Sequence, residues 1–167
     1  MNAMTDQKPI CPMCDQTALQ PETYTGEIDH NAHRLEVHDL EFYCCPQCGA
    51  DPVFPDQARR NHRRYQDARR RADGLLPSEE IVRIREALGL TQRQAAELFG
   101  GGANAFSKYE RGDVIQSVAM DRLIRMVARF PALLGGLAQD AGIELDTLAA
   151  HGLPASADRL REFQELI

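Results

Sequence analysis

The sequence predicts an α+β protein that is mainly α, in which a small N-terminal β-hairpin domain precedes an all-α domain. Two C-x-x-C pairs near the N-terminus enclose a segment of alternating residues, which indicates a hairpin. An arginine-rich segment bounded by prolines follows, and beyond it apolar residues recur at helical spacing between capping residues and glycines. These observations divide the chain into residues 1–54, 55–77, 78–134 and 135–167.

The two cysteine pairs are Cys11-Pro-Met-Cys14 and Cys45-Pro-Gln-Cys48, with 30 residues between them. Thiolates three positions apart can bind one metal ion from a tight turn, and two such turns complete a tetrahedral site. The pattern predicts a structural Zn²⁺ site held by all four side chains. Cys44 adjoins Cys45 and complicates the choice of ligand, but the C-P-x-C-G spacing favours Cys45.

Disulfides and a rubredoxin-like iron site are the alternatives for these cysteines. Disulfides are uncommon without a secretory signal, and the N-terminal residues MNAMTDQKPI lack a basic segment followed by an apolar run. Iron also accepts four thiolates, but Asp15 rather than glycine follows the first pair. The segment also offers few aromatic residues to shield a redox centre: Tyr24, Phe42, Tyr43 and Phe54.

The segment between the cysteine pairs predicts an antiparallel hairpin, with a third short strand as an option. Residues 24–28 and 35–42 alternate roughly, and Asp29-His30-Asn31 between them favours a turn. So small a unit has little core, and we expect the metal to supply much of its folding free energy. Because four cysteines satisfy zinc, the histidines of this segment are expected at the surface.

Residues 55–77 predict a basic connector helix. Pro52 and Pro55 mark its boundary, Asp56 is a candidate cap, and the helix should run to about residue 72 with seven arginines. Such a polar helix is either a solvated bridge between domains or a surface that contacts the phosphates of DNA. The residues favour neither interpretation over the other.

The most specific pattern is SEEIVRIREALGLTQRQAAELFGGGANAFSKYERG, residues 78–112, which predicts three short helices. Thr91 and Gln94 form a T-x-x-Q capping box that begins the second helix. Three successive glycines, residues 100–102, end that helix because glycine readily adopts positive φ. The chain should restart as a helix at Ala103. A capped helix, a glycine turn and a further helix predict a helix-turn-helix.

The last of these helices has one polar and one apolar face at about 100° per residue. Ala105, Phe106 and Tyr109 lie on the apolar face. An Asn amide can bind adenine in a bidentate manner, and Lys or Arg suits guanine. The candidate DNA-contacting residues are Asn104, Ser107, Lys108, Arg111 and, at the start of the preceding helix, Gln92. The alternative is an ordinary amphipathic helix in a bundle.

C-terminal to this motif, Ser117 is expected to cap a helix that ends near residue 130. Its apolar stripe should form core and a homodimer interface, since helix-turn-helix proteins usually read two half-sites; the stripe comprises Met120, Leu123, Ile124, Val127 and Phe130. A short helix over residues 131–134 should be weakened by the two glycines that follow. Residues 145–150 and 157–167 are plausible short helices.

The charge is unevenly distributed, although the net charge of the chain is −6. Residues 1–54 hold two basic and nine acidic residues, whereas residues 55–130 hold fifteen basic and ten acidic ones. Phosphate binding depends on local charge, so the overall acidity does not exclude DNA binding. No segment approaches the roughly 20 apolar residues that span a bilayer, and a cytoplasmic location is expected.

These motifs resemble those of MqsA-type antitoxins, with a YgiT-like zinc domain and an Xre-like helix-turn-helix. The resemblance covers residues 10–134 and is most specific in residues 90–112, LTQRQAAELFGGGANAFSKYERG. It implies an N-terminal domain that binds an RNA-cleaving toxin of MqsR type. It also implies a dimeric C-terminal domain that represses its own operon at palindromic DNA.

Residue by residue, the resemblance maps the family's zinc ligands onto Cys11, Cys14, Cys48 and Cys45. The base-reading Asn of the family corresponds to Asn104, and its base-reading Arg corresponds to Lys108, which offers a point charge in place of a planar fork. The long tail is a departure from the family and leaves an orphan regulator without a toxin as the alternative. An enzyme is not expected, because a four-thiolate site has no open position for a substrate.

Overall fold

A computed structural model describes residues 9–143, which divide into two compact units between Ala68 and Arg69. The predicted mainly helical α+β fold is confirmed. The elements in chain order are β1 (Gln20–His30), β2 (His33–Cys44), α1 (Pro55–Ala72), α2 (Ser78–Ala87), α3 (Gln92–Phe99), α4 (Ala105–Arg111), α5 (Val118–Arg129) and α6 (Leu133–Asp140). The division between the two units falls inside α1.

The N-terminal unit contains the predicted hairpin, with strands longer than expected. β1 and β2 pair in antiparallel fashion from Gln20↔Cys44 to His30↔His33. Asn31 and Ala32 form the two-residue turn with φ of 46° and 64°, because paired strands of this twist need left-handed turn residues. The turn predicted at residues 29–31 was therefore misplaced. Within residues 9–143 there is no third strand, and an isolated bridge joins Ile10 and Ala18.

A β-bulge interrupts the hairpin near Gly26. Thr25 faces two residues of β2, and the second of these, Asp39, has a φ of 58°. A Cβ at Gly26 would lie 2.7 Å from Leu40 Cδ1 and 3.0 Å from the Tyr65 hydroxyl oxygen. A side chain at position 26 would therefore have to displace the fully buried Leu40 side chain.

Helix α1 ends at Ala72 as predicted but begins at Pro55, so Asp56 lies in its first turn rather than at the cap. Two of its arginines are paired with a carboxylate of the hairpin. Arg60 Nε and Arg64 Nη1 each lie 2.8 Å from a carboxylate oxygen of Glu41 on β2. The hydrogen bond from Arg60, against the effect of burial and with the help of Arg64, lowers the pKa of Glu41. These pairs tie the first half of α1 to the hairpin.

The second unit packs α2 to α6 around one core that includes Ile81, Phe106, Ile124 and Val127. The predicted capping box is present, since the Thr91 hydroxyl accepts the Gln94 N–H at 3.2 Å and the Gln94 side chain accepts the Thr91 N–H. Ser117 likewise accepts the Met120 N–H and begins α5. The three glycines after α3 all have φ between 83° and 92°, which explains why this turn needs glycine.

The end of the described chain differs from the sequence prediction. Helix α6 begins two residues later than expected and continues through both glycines to Asp140, because Leu134 and Ala138 are buried against the core. The helices predicted over residues 145–150 and 157–167 lie outside the described residues. None of the helices formed by residues 9–143 has the length and hydropathy needed to cross a membrane.

Candidate metal centre and nucleic-acid interface

The four predicted cysteine ligands, hereafter the cysteine quartet (Cys11, Cys14, Cys45 and Cys48), lie together in the N-terminal unit. All four Sγ atoms are within 4.8 Å of one another. The Sγ atoms of Cys11 and Cys48 are 3.7 Å apart, as are those of Cys14 and Cys45. A tetrahedral site with metal–sulfur bonds of about 2.3 Å has sulfur–sulfur edges of about 3.8 Å. The quartet therefore has the dimensions to bind one metal ion, and these separations are too long for disulfides.

Local backbone geometry aims the four sulfurs inward. The Met13 N–H donates to Cys11 Sγ at 3.4 Å, and the Cys48 N–H donates to Cys45 Sγ at 3.5 Å. Gly49, with a φ of 72°, follows the second pair and turns the chain back so that the Cys45 N–H donates to the Ala50 carbonyl at 2.8 Å. Both C-x-x-C segments therefore form tight turns that direct sulfur toward a common point.

The protonation of the quartet also favours a cation. The Cys48 N–H donates to the Cys45 sulfur and lowers the pKa of Cys45 to about 6. At Cys48 the Ala50 N–H favours the thiolate, but the Cys45 sulfur and burial outweigh it and raise the pKa of Cys48 to about 12. The neighbouring groups thus favour the thiolate at Cys45 and the thiol at Cys48, and a divalent cation would stabilise the thiolate form of all four.

Cys44 lies outside the quartet. It is the last residue of β2, pairs with Gln20 and is half-buried. The sulfurs within 4.8 Å of one another are those of Cys11, Cys14, Cys45 and Cys48, and that of Cys44 is not among them. This resolves the ambiguity between the two neighbouring cysteines in favour of Cys45.

The polar face predicted for α4 is exposed, and the apolar face is packed. Ala105 and Phe106 are buried, whereas Lys108 and Arg111 are exposed. Helix α4 begins at Ala105 rather than Ala103. Asn104 therefore occupies the N-cap position, where its exposed side chain makes no capping hydrogen bond.

The remaining candidate DNA-contacting residues already have partners within the unit. Arg111 contacts the Ser107 hydroxyl, and its Nε donates to the Asp113 carboxylate at 2.9 Å. The Gln92 amide donates to Glu110 Oε2 at 2.7 Å, although the residue is exposed. By contrast, no carboxylate within residues 9–143 forms an ion pair with Lys108. Asn104 and Lys108 are thus the least engaged of the five.

Glu110, which sequence reasoning missed, joins the three helices of the helix-turn-helix. It is only 6% exposed and accepts Arg85 Nε of α2 at 2.5 Å as well as the Gln92 amide of α3. Arg85 also donates to the Leu90 carbonyl at 2.8 Å. The available signal was the spacing of four between Phe106 and Glu110, which places the carboxylate on the buried face. This network holds α4 against α2 and α3.

Comparison with known proteins identifies the family of the chain. The family model described as "Antitoxin component of bacterial toxin-antitoxin system, MqsA" matches residues 10–138. The chain belongs to the MqsA antitoxin family. Antitoxin MqsA of Escherichia coli (strain K12) is 46% identical over 63 residues, which cover 38% of this chain and 47% of that relative. The chain therefore matches about half of the length of this MqsA relative. The predicted family resemblance is confirmed.

Arg70 shows that the last turn of α1 belongs to the second unit of this MqsA-family chain. The side chain is fully buried, and its Nη2 donates to the carbonyls of Tyr109 at 2.9 Å and Val114 at 2.7 Å. The sequence interpretations of a solvated or phosphate-contacting arginine are therefore wrong for this residue. Its guanidinium instead binds the carbonyls at and beyond the end of α4.

Replacing Arg70 should destabilise the second unit. In Arg70→Met, the Tyr109 and Val114 carbonyls lose hydrogen bonds to a charged donor, and each such bond contributes about 1.5–3 kcal/mol. We expect a lower midpoint of thermal unfolding, whereas Arg71→Met, an exposed neighbour on the same helix turn, should change it little. Equal midpoints for the two variants, measured by circular dichroism, would show that Arg70 is not a structural cation.

An exposed apolar surface flanks the helix-turn-helix of this MqsA-family chain. Five large apolar side chains there are each roughly half exposed: Val114, Val118, Met126, Phe130 and Leu133. Phe130 was expected in the core with Ile124 and Val127, but it is 49% exposed. It lies at the C-cap of α5, where the chain turns toward α6.

Proposed function

We propose that this chain is a type II antitoxin that also acts as a transcriptional repressor. In this proposal a homodimer binds palindromic double-stranded DNA through α3 and α4, and the N-terminal unit binds a ribonuclease toxin. In this proposal residues 1–54 form the zinc domain and residues 55–77 the connector. Residues 78–134 form the DNA-binding and dimerisation domain, and residues 135–167 are a C-terminal extension.

The exposed polar face of α4 is the observation that carries DNA binding. Asn104 precedes the first helical turn and can present its amide to the N6 and N7 atoms of adenine. Lys108 lies one turn further and can donate to guanine, while Arg111 and Ser107 are placed for bases or phosphates. Gln92 at the start of α3 is assigned to the DNA backbone. Glu110 and Arg85 keep α4 in a fixed orientation, which base readout requires.

The exposed apolar surface supports the homodimer. Several large apolar side chains within residues 114–133 are about half exposed, and exposed apolar residues that cluster in this way are typical of an interaction surface. Helix-turn-helix dimers place two recognition helices about one DNA turn apart, so that a palindrome matches the two-fold axis. We assign Val118 and Met126 of α5 to this interface.

The N-terminal unit is assigned to the toxin on the basis of charge and family. Nine acidic residues against two basic ones in residues 1–54 would repel DNA and attract a basic partner. We assign zinc to the cysteine quartet, held by all four thiolates, where it supplies structural cross-linking. Four protein ligands leave no open coordination position, which fits a structural role rather than catalysis.

Asn104→Ala tests the recognition face. We expect a loss of about 1–3 kcal/mol in binding to a duplex that the wild-type protein selects from a random-sequence pool, with a relaxed preference at one base position. Gln139→Ala removes an exposed amide from α6 in the same unit and should leave affinity unchanged. Fluorescence anisotropy at fixed salt measures both variants. If Asn104→Ala binds like the wild type, the recognition face is misassigned.

DNA binding measured in this way, together with a titration of the protein with an MqsR-type toxin, distinguishes an antitoxin from an orphan regulator. A chain that selects a palindrome but binds no such toxin is the orphan regulator. A chain that binds both is the antitoxin.

A further inference from the structure

The outer edge of β1 is an exposed strand edge in the N-terminal unit. One side of β1 pairs with β2, and no backbone hydrogen bond joins its other side to any residue within 9–143. The strand is eleven residues long and mostly exposed. Proteins usually protect such edges with lysine or proline. β1 has no lysine, and its proline, Pro21, is the second residue of the strand.

The contacts of β2 reveal which backbone groups of β1 point outward. The Asn61 side chain accepts the Glu41 N–H at 2.7 Å and donates to the Glu41 carbonyl at 2.8 Å, so these groups face away from β1. The Tyr43 N–H likewise donates to the Pro52 carbonyl. In an antiparallel pair, the backbone N–H and C=O groups of two facing residues either all point toward the partner strand or all point away from it. Thr23, which faces Glu41, therefore directs its N–H and C=O to the outer edge.

The outward groups recur at every second residue along β1. The extra residue of the bulge lies on β2, so the alternation of β1 itself is unbroken. Four residues therefore present both an N–H and a C=O to the outer edge: Thr23, Thr25, Glu27 and Asp29. A third strand, supplied by a partner, could form a continuous ladder of backbone hydrogen bonds with these four residues.

The charge of the hairpin indicates the chemistry of that strand. Residues 20–44 contain six acidic side chains and one basic one, Arg34. Arg34 lies 3.2 Å from Glu27 and 3.6 Å from Asp29, so it offsets part of this charge. Glu41 is paired with Arg60 and Arg64 of α1. Glu22 forms no ion pair within residues 9–143, and with Glu27 and Asp29 it leaves β1 itself with three carboxylates and no basic side chain other than histidine. A strand that carries lysine or arginine is therefore the complementary partner.

We propose that the outer edge of β1 binds the toxin by strand addition, with a basic, extended segment of the toxin pairing against residues 23–29. This inference rests on the proposed antitoxin function and specifies its binding surface. Main-chain hydrogen bonds supply the affinity, and the acidic side chains of the hairpin select a basic segment.

Proline substitution tests the outer edge of β1 without removing a hydrogen bond between β1 and β2. Thr23→Pro and Glu27→Pro each remove one outward N–H that takes no part in β1–β2 pairing. Thr23→Val and Glu27→Gln are matched controls that keep the N–H. In calorimetric titration of the full-length, metal-loaded chain with a purified MqsR-type ribonuclease toxin, each proline variant should bind about tenfold more weakly than its control. Circular dichroism and metal content should match within each pair.

The outcomes separate this inference from the function on which it rests. If proline variants and controls bind the toxin equally, the edge assignment is overturned and toxin binding stands. If the wild type binds no toxin, both are overturned. If the proline substitutions instead lower the molar mass of the protein in solution in the absence of toxin, as measured by light scattering, the edge pairs with a second copy of the chain. The assigned occupant is then wrong.

Discussion

Cys45→Ser is expected to unfold the N-terminal unit while α2 to α6 remain folded. Within residues 9–143, the core around the quartet contains only Cys11, Leu19 and Cys45 as buried residues, so we expect the metal to supply most of the cross-linking. Structural zinc contributes roughly 10–16 kcal/mol of apparent binding free energy in small domains. Loss of one thiolate should therefore remove both the metal and the fold of this unit. The second unit has a separate core and should keep its helices.

Cys44→Ser is the matched control for this experiment, because it removes the adjacent thiol that lies outside the quartet. Metal content measured by mass spectrometry should fall from one equivalent to near zero in Cys45→Ser and stay at one in Cys44→Ser. Limited proteolysis should cut residues 9–54 only in the former. A Cys45→Ser protein that keeps its metal and resists proteolysis would refute the assignment. Iron in the wild-type sample, with a red colour, would refute zinc.

Glu110→Ala is expected to destabilise the second unit by about 1.5–3 kcal/mol, because Arg85 loses its buried carboxylate partner and keeps only the exposed Glu86 carboxylate and the Leu90 carbonyl. Arg85 is 12% exposed. Although burial opposes its charge, the hydrogen-bonded Glu110 keeps the pKa of Arg85 raised. The Gln92 amide would also lose its acceptor. Since this network holds α4, the surviving folded protein should bind the selected duplex more weakly as well.

Glu97→Ala provides the comparison, because Glu97 forms an exposed ion pair with Arg93 one turn earlier on α3. Such surface pairs contribute about 0–1 kcal/mol. Urea unfolding of the second unit should therefore separate the two variants clearly. The double variant Arg85→Met/Glu110→Leu should regain much of the lost stability, since it removes both charges together. Similar unfolding midpoints for Glu110→Ala and Glu97→Ala would contradict the proposed role of the network.

Sequence reasoning succeeded where the cause is local. The Thr91–Gln94 capping box, the Ser117 cap and the glycine turn each depend on a few neighbouring residues, and all three occur as predicted. The same holds for the two C-x-x-C turns, because their spacing alone directs the sulfurs. The opposite faces of α4 follow from helical geometry, which any stretch of this length obeys.

The sequence-based predictions were wrong where contacts between residues far apart in the chain determine the structure. Whether Arg70 is solvated depends on carbonyls 39 and 44 positions later. The extent of α6 depends on how Leu134 and Ala138 pack, which outweighs the low helix propensity of two glycines. The position of the hairpin turn depends on the register of two whole strands rather than on three turn-forming residues.

The amino-acid sequence by itself determined the family, the cysteine quartet and the polar face of α4, because short-range spacing and capping chemistry encode them. Only the tertiary structure decided that Glu110, Arg85 and Gln92 form one hydrogen-bonded network, and that one edge of β1 is unpaired within residues 9–143. Burial and strand pairing join residues far apart in the chain, and a single sequence does not specify which partners will meet.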